Sequence, residues 1–275
     1  MRREPVVVFG TGTFPTAFAE LVRDEGDLEP VAFCVDRAYA TGDEHEGLPL
    51  VPFDEVVDRF PPRTCRAIVP LGYLRMTEFR AEVCARFEEL GYALTPWISR
   101  RANVWSRLEP GPNTIVMPGA TVLPYATLGR DVAVRPNAVV SHHCRIEDHV
   151  TLANGAVLGG LSRIGHHSWL GLGAVVRNGV TVAPYTFVGA GAVLVTDTHE
   201  DGIYVGVPAR REPDRSAMEF TSRRSTSADR SASTRCASSS SRARSSRAAG
   251  CGRTAWTTGC ASPTCPRSCR RRRCA

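Results

Sequence analysis

Histidine, with a reference pKa around 6.5, can exchange a proton near neutral pH or offer a nitrogen to a metal. The chain has seven. His45 and His199 stand in stretches that read as loops and are expected at the surface. The other five, His142–His143, His149 and His166–His167, share one stretch in the second half of the chain. A second group with chemical potential comes near the start. Gly10-Thr11-Gly12-Thr13-Phe14 follows the apolar run Pro5–Phe9 and leads into a helical pattern over Phe14–Arg23, and a second apolar run, Pro30–Val35, ends at Asp36. Strand, glycine-rich turn, helix, strand and acid make the first half of a nucleotide-binding α/β unit, whose backbone N–H groups cradle phosphate. A third glycine would fall at position 15, where Pro15 stands, so a dinucleotide coenzyme is not expected. By itself the turn fits equally well a tight βα connection that binds nothing.

The elements that position the five histidines follow a period of six. From Val116 an aliphatic residue stands at every sixth place, through Val122, Leu128, Val134 and Val140 to Val188 and Leu194. Four places after each stop, from Ala120 to Ala192, the side chain is small or modest. Helices repeat near 3.6 residues and simple strands near 2, so neither accounts for this. A parallel β-helix of hexapeptide repeats does. Each hexad is a short strand plus a corner, and three hexads close a triangular coil. The aliphatic residue fills the prism and the small one is expected to let the corner turn. With eighteen residues to a coil, Gly160 should stand directly above His142, about 4.8 Å along the axis. His166 and His167, four hexads after the first pair, belong to a different face.

Upstream, Arg66–Pro70 reads as a strand ending at Leu71-Gly72-Tyr73, Met76–Leu90 as a helix with acids and arginines on its outer face, and Tyr92–Ile98 as a last strand. The alternation predicts a small parallel sheet with helices on both faces. Ligands of such sheets gather at the carboxyl ends of strands, here Gly10–Phe14, Asp36 and Leu71–Tyr73. Residues 99–115 should bridge into the repeat, and Asp201–Arg210 should cap it. The expected division is a Rossmann-like domain over 1–98, a β-helix over 99–212 and a disordered tail over 213–275.

The net charge of +6 is unevenly placed, because residues 213–275 carry 14 Arg and 3 acidic groups while the remainder is net −5. A mildly acidic body argues against a nucleic-acid surface. The tail is mostly Ser, Arg, Ala, Thr and Cys, a composition that cannot bury a core. Its six Cys show no CxxC pair. We expect the natural body to end near Arg211, with an unrelated extension beyond. No signal peptide or membrane-length apolar run is apparent, so a cytoplasmic location is expected, with the four body cysteines reduced.

A small α/β domain followed by a hexapeptide β-helix resembles the sugar acyltransferases that include sialic acid O-acetyltransferase and the bacillosamine-pathway N-acetyltransferase. The matching stretches are Phe9–Gly12, Val31–Asp36, Leu71–Tyr73, Ser141–Cys144 and Val205–Ala209. The resemblance implies a left-handed β-helix, a homotrimer, and acyl transfer from acyl-CoA, most simply acetyl-CoA, to an amine or hydroxyl of a nucleotide-linked sugar. It selects His142 as general base, and implies a backbone amide at Gly160 beside the thioester carbonyl. His143 occupies a position where many relatives carry an acid, so either Glu147 or Asp148 orients His142 or the two histidines act as a pair. Relatives often carry a further His where Thr151 stands. Acyl-CoA is expected in a groove between prisms, along Gly160 toward Gly189, Gly191, Pro208, Arg210 and Arg211. The nucleotide is expected at Gly10, Thr11, Gly12, Thr13, Asp36 and Gly72. No covalent acyl-enzyme is expected, since no Ser or Cys is placed as a nucleophile and Cys144 should point inward. Metal is not expected either. Carbonic anhydrases of this fold need a second His two coils above the first, where this chain has Asn178. The rival reading is a trimeric nucleotide-sugar-binding scaffold without turnover.

Overall fold

The structure is a computed structural model that describes residues 3–72 and 77–212. Tyr73, Met76 and the tail expected to be disordered lie outside the described residues. Strands β1 (Glu4–Phe9), β2 (Leu28–Val35), β3 (Glu44–His45), β4 (Leu48–Pro52) and β5 (Arg66–Ile68) form a sheet in the order β3-β4-β2-β1-β5. Pairing is parallel except for the β3–β4 hairpin. Val6, Val7 and Val8 of β1, which is flanked by β2 and β5, are wholly buried, which is why it reads as an unbroken apolar run. Helix α1 (Thr13–Glu25) packs Phe18, Ala19 and Val22 against Val6, Val8 and Phe33 on one face. The short α2 (Val56–Arg59) and α3 (Glu78–Glu89) cover the other, where Val56, Val83, Cys84 and Phe87 meet Val7 and Phe9.

Two expectations change here. The run 92–98 is not one strand. Leu94 bridges to Ala67 at the sheet edge, whereas Trp97–Ile98 leaves the sheet and pairs in parallel with Ile115–Val116. Pro96, which has no N–H to give a ladder, sits at the break. The outer face assigned to the second helix also fails at Arg80, which is buried against the β-helix.

The repeat itself folds in the expected register. Two-residue strands end on the aliphatic stops from Val116 to Leu194, and those stops and the small residues from Ala120 to Ala192 are at most 5 % exposed. They form one continuous core. The turn, however, is made one position earlier than expected. The residue three places after each stop, from Gly119 to Gly191, has φ between 54° and 73°. The small residue is tucked inside the corner that its neighbour makes. Tyr125, His143, His149 and His167 are such left-handed corner residues. Coiling also begins sooner, since Asn103–Val104 already pairs with Thr121–Val122. Pro110 interrupts the aliphatic pattern and hides this in the sequence.

The strands stack into three faces. Face 1 carries Ile115, Ala133, Thr151, Trp169 and Phe187 at its first strand positions; face 2 carries Thr121, Val139, Val157, Val175 and Val193; face 3 carries Thr127, Arg145, Arg163 and Thr181. Ile203–Val205 and Arg210–Arg211 close the last coil as an antiparallel pair. The α/β unit docks on face 1 and on the edge between faces 3 and 1. There the Val69 N–H donates to Asn113 Oδ1 at 2.8 Å, and Arg80 donates to Asp131 Oδ1 at 2.7 Å and to Thr151 Oγ1 at 2.9 Å.

Candidate active site

His142 and His143 stand on the edge between faces 2 and 3, in the corner joining Val139–Val140 to Arg145–Ile146. Gly160 is one coil above. A β-carbon built on it would lie 2.7 Å from His142 Cε1 and 2.8 Å from Nε2, so the imidazole occupies the space where any other side chain would begin. Among the described residues the N–H of Gly160 has no backbone acceptor, while its neighbours Gly159 and Leu161 donate to Val176 O and His142 O. The Gly160 amide, itself buried, thus lies directly against the ring of the exposed His142.

His142 faces its neighbour His143. Nδ1 of His142 and Nδ1 of His143 are 3.2 Å apart, with the rings nearly perpendicular. Neither proposed acid turns this way: Glu147 accepts from the His166 N–H and Asp148 from the Arg130 N–H, both on the next edge. His143 is held in turn by stacking on Tyr125 at 4.7 Å, and Tyr125 meets Trp105 at 5.2 Å. Sequence reasoning missed these two aromatic supports. Tyr125 lies eighteen residues before His143 and could have been found from the coil length alone. Cys144 is buried, its Sγ 3.2 Å from Gly159 O, and burial pushes its thiol pKa up, so it is no nucleophile.

His149, His166 and His167 lie on the edge between faces 3 and 1, away from His142. His149, His167 and Tyr185 form a stacked column with ring centroids 4.6 and 4.9 Å apart. Below it, Asp131 bonds His149 Nδ1 at 2.8 Å and accepts from Arg80 and Asn113. Burial alone would raise the Asp131 carboxyl, but Arg80, with His149 and Asn113, outweighs it and holds it below the usual range. Thr77, at the start of α3, bonds His167 Nδ1 at 3.0 Å. This column anchors the α/β unit, an interface role for these histidines. Thr151, where relatives carry a His, serves the same anchor through Arg80. Nor is His45 merely surface: it bonds Thr16 Oγ1 at 2.8 Å and packs edge-on against Phe33.

The nucleotide candidates converge at the carboxyl end of the sheet. Gly10 has φ +100°, and a β-carbon there would sit 2.9 Å from Pro15 and 3.1 Å from Leu71, so only glycine fits. The exposed Gly12 precedes α1, no side chain caps that helix, and its first turn holds no acid. Asp36 is 2.6 Å from Arg86 and lies partly open. Gly72 closes the group, and no atom of the described residues lies within 4 Å of a β-carbon built on it.

The acyl-CoA candidates are not gathered in one subunit. Gly160 lies on the edge between faces 2 and 3, whereas Gly189 and Gly191 lie on the edge between faces 1 and 2, with face 2 between them. Pro208 and Arg210 belong to the closing strands. The nucleotide turn, docked on face 1, is likewise on the side opposite His142. Among the described residues no group of three or more His, Cys, Asp or Glu is placed to hold a metal.

Residues 125–160 match the family model described as bacterial transferase hexapeptide (six repeats). Among solved structures, the acetyltransferase domain of PglB from Neisseria gonorrhoeae in complex with acetyl coenzyme A is 28 % identical, with TM-score 0.70, covering 77 % of this chain and all of that one. PerB from Caulobacter crescentus in complex with CoA and GDP-perosamine is 27 % identical, with TM-score 0.68, covering 76 % of this chain and 97 % of that one. A histidine-to-alanine mutant of GDP-perosamine N-acetyltransferase from the same organism, also with both ligands, is 26 % identical at TM-score 0.70, with the same coverage. A search of curated protein sequences gives no match.

Proposed function

We propose that this chain is a hexapeptide-repeat sugar acyltransferase that transfers an acetyl group from acetyl-CoA to an amine of a nucleotide-linked sugar, with His142 as general base. The single observation that carries this reading is the His142 ring seated against bare Gly160. Base and oxyanion donor are then within one acyl group of each other.

The tautomer follows from the pair. For Nε2 of His142 to accept a proton, its Nδ1–H must donate to Nδ1 of His143, which leaves His143 protonated on Nε2. The sugar nitrogen attacks the thioester carbonyl while Nε2 takes its proton. The Gly160 N–H receives the developing oxyanion. Collapse breaks the C–S bond, and the proton passes from His142 to the departing thiolate to give free CoA. His143, a neutral acceptor, steadies the imidazolium less than a carboxylate would and fixes the ring by geometry. The sugar arrives with its nucleotide held at Gly10–Thr13, Asp36 and Gly72. Because that turn and His142 lie on opposite sides of one prism, the complete site lies between subunits of a trimer, with acyl-CoA in the groove they share.

The test is thiol release from acetyl-CoA over a panel of amino-sugar nucleotides. We expect His142→Ala to lower kcat by about 10²–10⁴-fold with little change in CoA binding. His143→Ala should cost less, and the two losses should not add, as for residues acting as a unit. Near-wild-type kcat in His142→Ala, with His166→Ala or His167→Ala inactive, would place the chemistry on another edge. No turnover with any sugar nucleotide, but tight binding of one, would favour the non-catalytic scaffold.

A further inference from the structure

Arg135 stands at the start of the corner that leaves face 1, and the central carbon of its guanidinium lies over the Phe14 ring, 3.4 Å from the centroid. It lines a narrow crevice with Val69, Pro70, Leu71, Arg80 and Asp131. Two guanidinium groups and one carboxylate thus meet where the α/β unit docks. The carboxylate is already committed, because Asp131 accepts from Arg80 and Asn113 and bonds His149. Among the described residues no carboxylate pairs with Arg135, and no acceptor takes its side-chain N–H groups. Burial, and then the nearby Arg80, lower its pKa to about 10, so it stays charged at neutral pH at a cost in desolvation. A half-buried cation without a counter-charge is destabilising unless something else supplies the charge. Phe14, on which it rests, is the second residue of α1. In the same turn the backbone N–H groups of Thr11, Gly12, Thr13 and Phe14 find no backbone acceptor among the described residues.

We infer that Arg135 is a phosphate-binding residue for the nucleotide substrate, reaching from the β-helix to the diphosphate held over the Gly10–Thr13 turn. The inference rests on the proposed nucleotide-sugar reading and gives the β-helix a part in recognising the nucleotide, apart from its part in the chemistry at His142. A planar fork suits a diphosphate, which can take two parallel N–H bonds. Stacking on Phe14 fixes the plane of that fork before the ligand arrives.

The experiment is calorimetric titration of the full chain with UDP, GDP and dTDP, and with the matching nucleosides. For the nucleoside diphosphate that binds wild-type protein, Arg135→Gln should weaken affinity about tenfold to a hundredfold, the range for a hydrogen bond to a charged group. Affinity for acetyl-CoA and for the matching nucleoside should stay within about twofold. Unchanged diphosphate affinity in Arg135→Gln overturns the inference and leaves the nucleotide-sugar reading standing, with Arg135 a clamp on Phe14. If no nucleoside diphosphate binds wild-type protein, the nucleotide-sugar reading fails and takes the inference with it. Should Arg135→Gln not fold, Arg135→Lys decides. It keeps the charge but loses the fork, so a severalfold loss supports the inference and wild-type affinity overturns it.

Discussion

Gly160→Ala changes one hydrogen to a methyl group at the point where the site is tightest. The new carbon would lie 2.7 Å from His142 Cε1 and 2.8 Å from Nε2. Carbon contacts are comfortable at about 3.5 Å, so the ring must retreat by roughly 0.7–0.8 Å. The backbone can accept alanine, because Gly160 is not among the positive-φ glycines. His142 is exposed, so its ring can yield toward solvent at the expense of its contact with His143, and stability should change by less than about 1 kcal/mol. Catalysis is less forgiving, since a misplacement near 1 Å can cost about 10²-fold. We therefore expect kcat to fall about tenfold to a hundredfold with the melting temperature nearly unchanged, measured by thiol release and thermal unfolding. The double variant with His142→Ala provides the refutation. Once the ring is gone the methyl group has room, so Gly160→Ala should cost the His142→Ala protein less than about twofold more. If Gly160→Ala retains wild-type kcat, or lowers both backgrounds by the same factor, the ring-over-glycine argument is wrong.

Two further perturbations test the frame. Val140→Asp places a charge at a wholly buried stop of the repeat and should cost several kcal/mol, seen as loss of soluble protein; soluble, cooperatively folding protein would break the assigned register. Acidification should act through the anchor edge: burial, then His149 and His166, lower the pKa of His167 to about 4, so it stays neutral in the fold while the unfolded chain binds a proton below about 6.5. Stability should therefore drop as pH falls from about 6.5 toward 4, and less steeply in His167→Gln. An identical pH profile for that variant would show that the column does not couple protonation to folding.

The β-helix was legible because its signal is redundant: thirteen hexads repeat one rule, and each aliphatic stop is buried as the rule requires. The same arithmetic put Gly160 over His142. What could not be read is everything that depends on two elements meeting. Arg80 looks like any arginine on a solvated helix, and only docking onto Asp131 buries it to 3 % exposure. The pairing of His142 with His143, rather than with Glu147 or Asp148, turns on which way a left-handed corner residue throws its side chain. That direction is a property of backbone, since His143 has φ +59°. Gly189 and Gly191 lie on a different edge from Gly160 for a countable reason. Neither twenty-nine nor thirty-one residues is a whole number of coils.

The eighteen-residue coil also sets which length changes the protein can absorb. A duplicated coil inserted after Leu170 would return each later residue to its own edge, leaving His142, Gly160 and the Thr77–His167 contact below it untouched. A duplicated hexad would instead rotate all that follows by one face, carrying the closing strands Ile203–Val205 and Arg210–Arg211 onto a different side. Below His167 even a whole coil is costly, because Asn113, Asp131, Thr151 and His167 meet the α/β unit at fixed heights. The molecule is thus a ruler clamped at its lower end and free to lengthen at the upper, in steps of one complete turn.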